Sequence, residues 1–380
     1  MPQISPATIV IPCAGFPSFS TPCSLHVVRQ RAGLGVVVAR GRIEGSKVIV
    51  FCTDATISGG AIGGPECSLI AAAIEAACSE RCPVIGIWHS GGAKLAEGVV
   101  AMDGIGRMFA AMVRASGQVL QLSLILGPAA GGAAYGAALT DLVIMSDGGR
   151  VFITGPDIVR SVTGERIDMS GLGGPEVHGR RSGVAHLVAD SEEAAFRQAR
   201  NVVTLFAQPG HVDVSLVRTG IDLRTFLPES PRRAYDVRPL VRAIVDGSEG
   251  SSSFLELQEK WAPNIVVALG RIGGRTVGVI ANNPLRKGGC LDSLGRESGA
   301  ICSHVRRIRH TASRAGRRTG LSSGHQPGVG RGGPSRRKAP ARVRRGSRPP
   351  GNPGDPEIVR RRLHCDELAL PRRHRGARLA

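Results

Sequence analysis

Pro83-Val84-Ile85-Gly86-Ile87-Trp88 reads as a short buried strand, and His89-Ser90-Gly91-Gly92-Ala93 as the small-residue loop that follows it. The same order returns further on. Gln121-Leu122-Ser123-Leu124-Ile125-Leu126-Gly127 is a second apolar strand, and Pro128-Ala129-Ala130-Gly131-Gly132-Ala133 is a second small-residue loop. A short helix from Tyr135 to Leu139 and a strand, Leu142-Val143-Ile144-Met145, complete the unit. Between the two, Leu95 to Ser116 carries Met102, Ile105, Met108 and Met112 at helical spacing. Strand, Gly-Gly loop and helix, repeated, predict an α/β fold with its loops on one edge of the sheet.

Working outward, residues 35–56 read as paired strands around the turn Glu44-Gly45-Ser46. The glycine-rich stretch from Ser58 to Gly64 leads into a helical run through Cys67-Ser68-Leu69-Ile70-Ala71 to Cys78. Residues 182–228 read as a helical closing segment. Trp261 to Ile280 holds a further strand pair with its turn at Gly273-Gly274, the expected start of a second domain.

The chain has 380 residues, enough for two domains of ordinary size. Its net charge of +19 resembles a nucleic-acid binder's until the charge is located. From Leu294 to Ala380 there are 22 Lys/Arg against 5 Asp/Glu; before Leu294 there are 27 against 25. The body is therefore nearly neutral. The tail is Arg, Gly, Pro, Ser and Ala without periodicity, and no Phe, Trp or Tyr follows Trp261, so it reads as disordered. No apolar run reaches the ~20 residues of a membrane span. Ile9-Val10-Ile11-Pro12-Cys13-Ala14-Gly15 lacks a basic stretch before it, which argues against a secretory signal. Nine irregularly spaced cysteines read as reduced thiols of a cytoplasmic protein. Cys78 and Cys82 could share a helix face, but no further ligand accompanies them, so no metal site is expected.

Consecutive glycines between a strand and a helix let backbone N–H groups face one point, with the helix dipole adding positive potential. Such a loop stabilises an enolate or thioester oxyanion; one loop alone reads more readily as a tight strand-to-helix turn. Other chemistry is poorly supported. Ser90 beside His89 does not sit in a G-x-S-x-G setting. Gly104-Ile105-Gly106 lacks the third glycine of a dinucleotide loop. Glu97 is expected on a solvated helix face rather than as a general base, and Asp141 reads equally as a cap at a strand start.

The ordered series Ser90-Gly91-Gly92-Ala93-Lys94-Leu95-Ala96-Glu97-Gly98, Arg114-Ala115-Ser116-Gly117, Gly127 to Tyr135, Ala138-Leu139-Thr140-Asp141 and Val151 to Val159 resembles the carboxyltransferase β chain of acetyl-/propionyl-CoA carboxylases of actinobacterial type. Val162-Thr163-Gly164-Glu165, Leu172-Gly173-Gly174-Pro175-Glu176 and Arg233-Ala234-Tyr235-Asp236-Val237-Arg238 continue it, from about Gly35 to Leu291. The resemblance implies a crotonase/ClpP-like fold in two related domains, one for acyl-CoA and one facing carboxybiotin on a separate carrier chain. It also implies hexameric assembly and CO2 transfer from biotin to the acyl α-carbon, without a metal in this chain. The domains expected are an ill-defined segment over 1–34, the acyl-CoA domain over 35–228, the start of the biotin-side domain over 229–293, and the basic tail over 294–380. By position, Gly131 and Gly132 match the family's thioester-oxyanion pair and Gly91 and Gly92 the neighbouring loop; all four are catalytic candidates. Ala93, Lys94, Ala133 and Tyr135 are candidates for holding CoA. Lys94 stands where the family usually has Arg; its charge is kept but the bidentate fork is lost, so a phosphate contact stays open.

Past residue 293 the resemblance stops, and a reading-frame slip near Asp292–Leu294 is inferred. Reading one base later, Glu297 to His310 (ESGAICSHVRRIRH) can be encoded so that the shifted frame gives KAARFVRMCDAFG. The following codons can give IPLVVLVDVPGYLPG, and Pro327 to Pro340 can give QEWGGVVRRGAKLL. Two other functions stay open at this point. One is a crotonase-type enoyl-CoA hydratase or isomerase. The other is a nucleic-acid-binding module acting through its Arg-rich tail.

Overall fold

The computed structural model describes residues 25–29, 33–217, 221–230, 232–248, 251–252, 254–295 and 297–299. The expectations for residues 1–24 and for the tail from 300 onward lie outside the described residues.

An eight-stranded sheet forms the centre. Strands β1 (Leu25–Arg29), β2 (Val36–Ile43) and β3 (Ser46–Thr53) are antiparallel, with β2 and β3 turning at Glu44-Gly45 as expected. From β3 the sheet continues in parallel. Helix α1 (Gly64–Glu80) crosses to β4 (Val84–Ser90), and α2 (Val99–Ala115) crosses to β5 (Gln121–Ala130). Helix α3 (Gly132–Ala138) leads to β6 (Leu142–Met145), and β7 (Arg150–Phe152) pairs with the far end of β5. Then come α4 (Pro156–Thr163), the short α5 (Met169–Gly173) and α6 (Pro175–Val177), and β8 (Leu187–Val188), which closes the parallel edge beside β6.

Strand alternation divides the core between two faces. In β4, Val84 and Trp88 pack under α1 and α2 with Phe51, Ile70, Ile105 and Met108. Ile85 and Ile87 face the other way, toward Phe196, Val202 and Phe206 of α7 (Glu192–Ala207). Trp88 is fully buried, meets Phe51 edge-on with centroids 5.3 Å apart, and donates from Nε1 to Ser123 Oγ at 2.9 Å, so its one polar atom is satisfied. Gly104 is where α2 meets α1: a methyl group there would lie 2.8 Å from the Gly64 Cα.

Three details depart from the sequence reading. The helix expected from Leu95 starts at Val99, after a separate 3-10 turn at Leu95–Glu97, and Met102 points outward while Ile105, Met108 and Met112 are buried. Among the described residues of 182–228 only α7 is an α-helix, because Pro209-Gly210 directly after Gln208 end it; Val214–Leu216 and Leu223–Phe226 are 3-10 turns. Cys82 lies past the left-handed cap at Arg81, so it shares no helix face with Cys78.

Beyond α8 (Arg238–Ile244) and the two-residue pair β9 (Gly247–Ser248) and β10 (Ser251–Ser252), a three-stranded sheet forms from β11 (Leu255–Leu257), β12 (Ile265–Ile272) and β13 (Arg275–Asn282). This sheet copies the start of the chain. β12 and β13 begin and end 229 residues after β2 and β3, with the same pairing register. Val27 faces Ala39 as Glu256 faces Ala268, and the 3-10 turn Ser58–Gly60 recurs as Lys287–Gly289. Even the left-handed backbone recurs: φ is 52°, 63° and 71° over Ser58, Gly59 and Gly60, and 50°, 62° and 73° over Lys287, Gly288 and Gly289. Eleven of the 29 residues in 36–64 are identical in 265–293. The sequence reading found the second strand pair but not that it repeats the first.

Candidate active site

The parallel register of β4 and β5 sets Ser90 opposite Ala129, so the two Gly-Gly loops leave the sheet side by side. Gly92 is at φ 97°, and a Cβ on it would lie 2.9 Å from the Ala130 carbonyl oxygen and 3.8 Å from the Gly131 Cα. Only glycine fits that contact. Gly131, at φ 52° and ψ −120°, caps α3.

The glycines shape the loops, but most of their own amides are committed. Gly91 N–H donates to Gly59 O at 2.9 Å, Gly92 N–H to Ser90 Oγ at 3.2 Å, and Gly131 N–H to Phe152 O at 3.1 Å. Ile62 stitches the first loop from below, donating to Gly92 O at 2.8 Å and accepting from Lys94 N at 3.0 Å. The amides of Ala93, Gly132 and Ala133 have no acceptor among the described residues. For Gly132 and Ala133 the reason is general: the first N–H groups of a helix have no partner within it. The free donors thus sit on or one residue beyond the glycines that the sequence singles out, and those of Gly132 and Ala133 lie at the positive end of α3.

Lys94 is engaged within the protein. Its ammonium is paired with the carboxylate of Glu66, on the first turn of α1, and lies 4.0 Å from Glu97 Oε1. Glu66 is fully buried and also accepts from Gly63 N–H at 3.1 Å; Glu97 accepts from Gly64 N–H at 2.8 Å. Burial pushes the Glu66 carboxyl up, but Lys94 and the amides of Glu66 and Gly63 outweigh it and hold it below its ordinary 4.5. Glu97 is accordingly not on a solvated helix face; it fastens the loop to the start of α1. Nothing in the sequence marks Glu66, because its burial comes from a loop about thirty residues away folding over it.

Tyr135 stands on α3 with its ring 6.4 Å from that of Phe109. Ser90 is fully buried and its Oγ accepts from Gly92, while His89 N–H bonds Thr53 Oγ1 at 2.8 Å; no Ser–His pair forms. Asp141 Oδ2 accepts from Gln121 N–H at 2.7 Å, as a cap at the start of β5. Sequence reading missed His178, buried with its ring nitrogens 2.7 Å from Val151 O and Ser182 Oγ, where it ties β7 to the turn after α6. Among the described residues no group of three or more His, Cys, Asp or Glu could hold a metal. Leu95, Val99, Val100 and Met102 stand exposed beside the first loop, and Ile158 and Val162 on α4.

Comparison with known proteins fits this geometry. The carboxyl transferase domain family matches residues 19–300. The chain is 54% identical over 278 residues to the biotin-dependent acetyl-/propionyl-coenzyme A carboxylase beta6 subunit of Mycobacterium tuberculosis, covering 73% of this chain and 58% of that one. It is 51% identical over 290 residues to the propionyl-CoA carboxylase beta chain of Rhodococcus erythropolis, covering 76% and 61%. The transcarboxylase 12S crystal structure with hydrolysed methylmalonyl-CoA superposes with a TM-score of 0.66 at 36% identity, over 70% of this chain and 54% of that one. The chain therefore spans about three-fifths of the length of these curated relatives. The match begins at residue 19, ahead of the start at Gly35 expected from the motifs, and β1 lies within it. The fold is the crotonase-like carboxyltransferase fold, and the chain belongs to the carboxyl transferase domain family.

Proposed function

We propose that this chain is the acyl-CoA-binding part of a biotin-dependent acyl-CoA carboxyltransferase. In this reading carboxybiotin, borne by a separate carrier chain, releases CO2, the biotin so freed takes the α-proton of acetyl-CoA or propionyl-CoA, and the α-carbon bonds to the CO2. The observation that carries it is the free amides of Gly132 and Ala133 at the start of α3, beside a loop offering Ala93. A thioester oxygen accepting from them would gain negative charge as the α-carbon becomes nucleophilic, and fixed donors stabilise that charge without reorganising. Gly91, Gly92 and Gly131 give the loops their shape, Lys94 fixes the first loop to α1, and Tyr135 lies one helical turn on. No side-chain nucleophile is needed, which agrees with a buried Ser90 already engaged by Gly92.

The names of the relatives support a biotin-bearing partner, and the hexamer assembly of transcarboxylase 12S supports self-association. The apolar residues exposed beside the first loop and on α4 suit such contacts.

The test is to combine the chain with a biotin carboxylase and carrier chain, ATP, bicarbonate and propionyl-CoA. Saturable acyl-CoA binding is expected, with carboxyl transfer only once the residues after 293 are restored to the inferred frame. Hydration of an enoyl-CoA without biotin would favour a hydratase instead. Carboxylation by the 380-residue chain as it stands would overturn the claim that the later residues are needed.

A further inference from the structure

We infer that His178 is a positioning residue of this site: from behind β7 it holds the strand that anchors Gly131, and through Gly131 it sets the direction of the free Gly132 and Ala133 amides. The inference rests on the proposed function, in which those amides receive the acyl thioester.

The chain of contacts is short. Gly131 N–H donates to Phe152 O at 3.1 Å, and Gly131 O accepts from Tyr135 N–H at 3.2 Å. The peptide unit that carries the Gly132 N–H is thus tied down on both sides of the Gly131 Cα. A glycine at φ 52° and ψ −120° has no side chain to keep it there, so these bonds hold its conformation.

Phe152 ends β7, a strand of three residues that pairs with β5. Successive carbonyls of a strand point to opposite edges. With Phe152 O turned to Gly131, Val151 O points away from β5, and there His178 Nε2 lies 2.7 Å from it. A carbonyl only accepts, so Nε2 carries the proton. Nδ1 of the neutral ring then accepts from the Ser182 hydroxyl, whose Oγ is 2.7 Å away. His178 supplies the donor that a further strand would otherwise bring to the outer edge of β7.

The ring is built into place. His178 is buried, and Gly173 closes over the same carbonyl so tightly that a methyl group on it would overlap Val151 O. Arg150 Nε donates to Ser170 Oγ at 3.0 Å, a second tie between β7 and the α5 segment. Ala185 N–H donates to His178 O at 3.3 Å and His186 N–H to Val143 O at 2.9 Å, which fastens the ring's own backbone to β6. His178 to Ser182 form a π-helical turn, a rare conformation that recurs at functional sites. Removing the Nε2–H leaves Val151 O buried without that donor and frees β7 to draw away from β5. Gly131 turns with it, and the Gly132 and Ala133 amides lose their aim. Only a ligand's thioester carbonyl feels that change; the rest of CoA does not.

The test titrates the 380-residue chain calorimetrically with propionyl-CoA and with S-propyl-CoA, which lacks the thioester carbonyl. The unsubstituted chain should prefer propionyl-CoA about tenfold, as one hydrogen bond gives. In His178→Asn the shorter amide reaches Ser182 but not Val151 O. The preference should fall to about twofold, with S-propyl-CoA bound as before. His178→Gln puts an amide nitrogen where Nε2 stood and should restore the preference. An undiminished preference in His178→Asn, or an equal loss for both ligands, overturns the inference. If His178→Asn does not fold, Ser182→Ala leaves Val151 O its donor but frees the ring, and should lower the preference about threefold; no change there overturns the inference as well. An unsubstituted chain without any preference sinks the proposed function and this inference together. A preference lost in Gly132→Pro but kept in His178→Asn sinks this inference alone.

Discussion

Gly92 lies so close to Ala130 that a single methyl group on it would come within 2.9 Å of the Ala130 carbonyl oxygen. The two loops that the sequence shows as separate motifs are thus one piece of structure, and each holds the other's shape. Substituting Gly92 should therefore act on both. Gly92→Ala adds the clash to a left-handed φ of 97° and is expected to cost about 1–3 kcal/mol. It should weaken acyl-CoA binding more than stability alone explains. Denaturant unfolding and calorimetric titration on the same variant separate the two effects.

Lys94→Met strips the buried Glu66 of its cation, and losing one partner of a buried pair costs about 3 kcal/mol. The pH dependence should reverse in sign. With Lys94 present, Glu66 is held below 4.5, so its contribution is full above that value and is lost as pH falls through the lowered one. Without Lys94, burial raises the carboxyl, and stability should instead fall as pH rises through the ordinary carboxylate range. Lys94→Arg keeps the charge and should restore the original sign. Urea unfolding between pH 3 and pH 8, as a rough span set by ordinary carboxylate values, measures it.

The cysteines divide by environment. Burial pushes the Cys67 thiol up to about 12 and the Cys82 thiol up to about 11, so neither yields thiolate near neutrality. Cys290 is exposed. Maleimide labelling of the native chain with peptide mapping should modify Cys290 quickly and leave Cys67 and Cys82 unmodified until unfolding. Rapid labelling of Cys67 would contradict the packing of α1 against α2.

That packing has its own test at Gly104. Valine there drives a side chain into the Gly64 backbone and should destabilise by about 1–3 kcal/mol, since two helix backbones cannot part without opening the core around Ile105 and Met108. Gly106, on the same helix with open space around it, should accept alanine without loss. Thermal unfolding of both variants decides the point.

The hairpin over 35–56, the buried strand before each Gly-Gly loop and the helices after them were legible because apolar alternation and paired glycines are local signals. What the sequence hid was tertiary. Glu66 has the look of a solvated first-turn carboxylate until the loop through Lys94 folds over it. The commitment of the Gly91, Gly92 and Gly131 amides depends on Gly59, Ser90 and Phe152, which no local pattern links to them. The repeat was readable in principle: Ala39-Arg40-Gly41-Arg42-Ile43 returns as Ala268-Leu269-Gly270-Arg271-Ile272. A copy some 30 residues long at a spacing of 229 escapes a reading tuned to short periods.

The central claim is that the Gly132 amide receives the acyl thioester, and a pair of substitutions isolates it. Gly132→Ala and Gly132→Pro both place a Cβ against the flexible end of Ile105, but only proline removes the N–H, at the first helical position where proline is tolerated. Calorimetric titration with propionyl-CoA should give near-native affinity for Gly132→Ala and about tenfold weaker binding for Gly132→Pro, the ~1.4 kcal/mol expected of one lost hydrogen bond. Equal affinity for the two variants, or no saturable binding by the unsubstituted chain, would contradict the account.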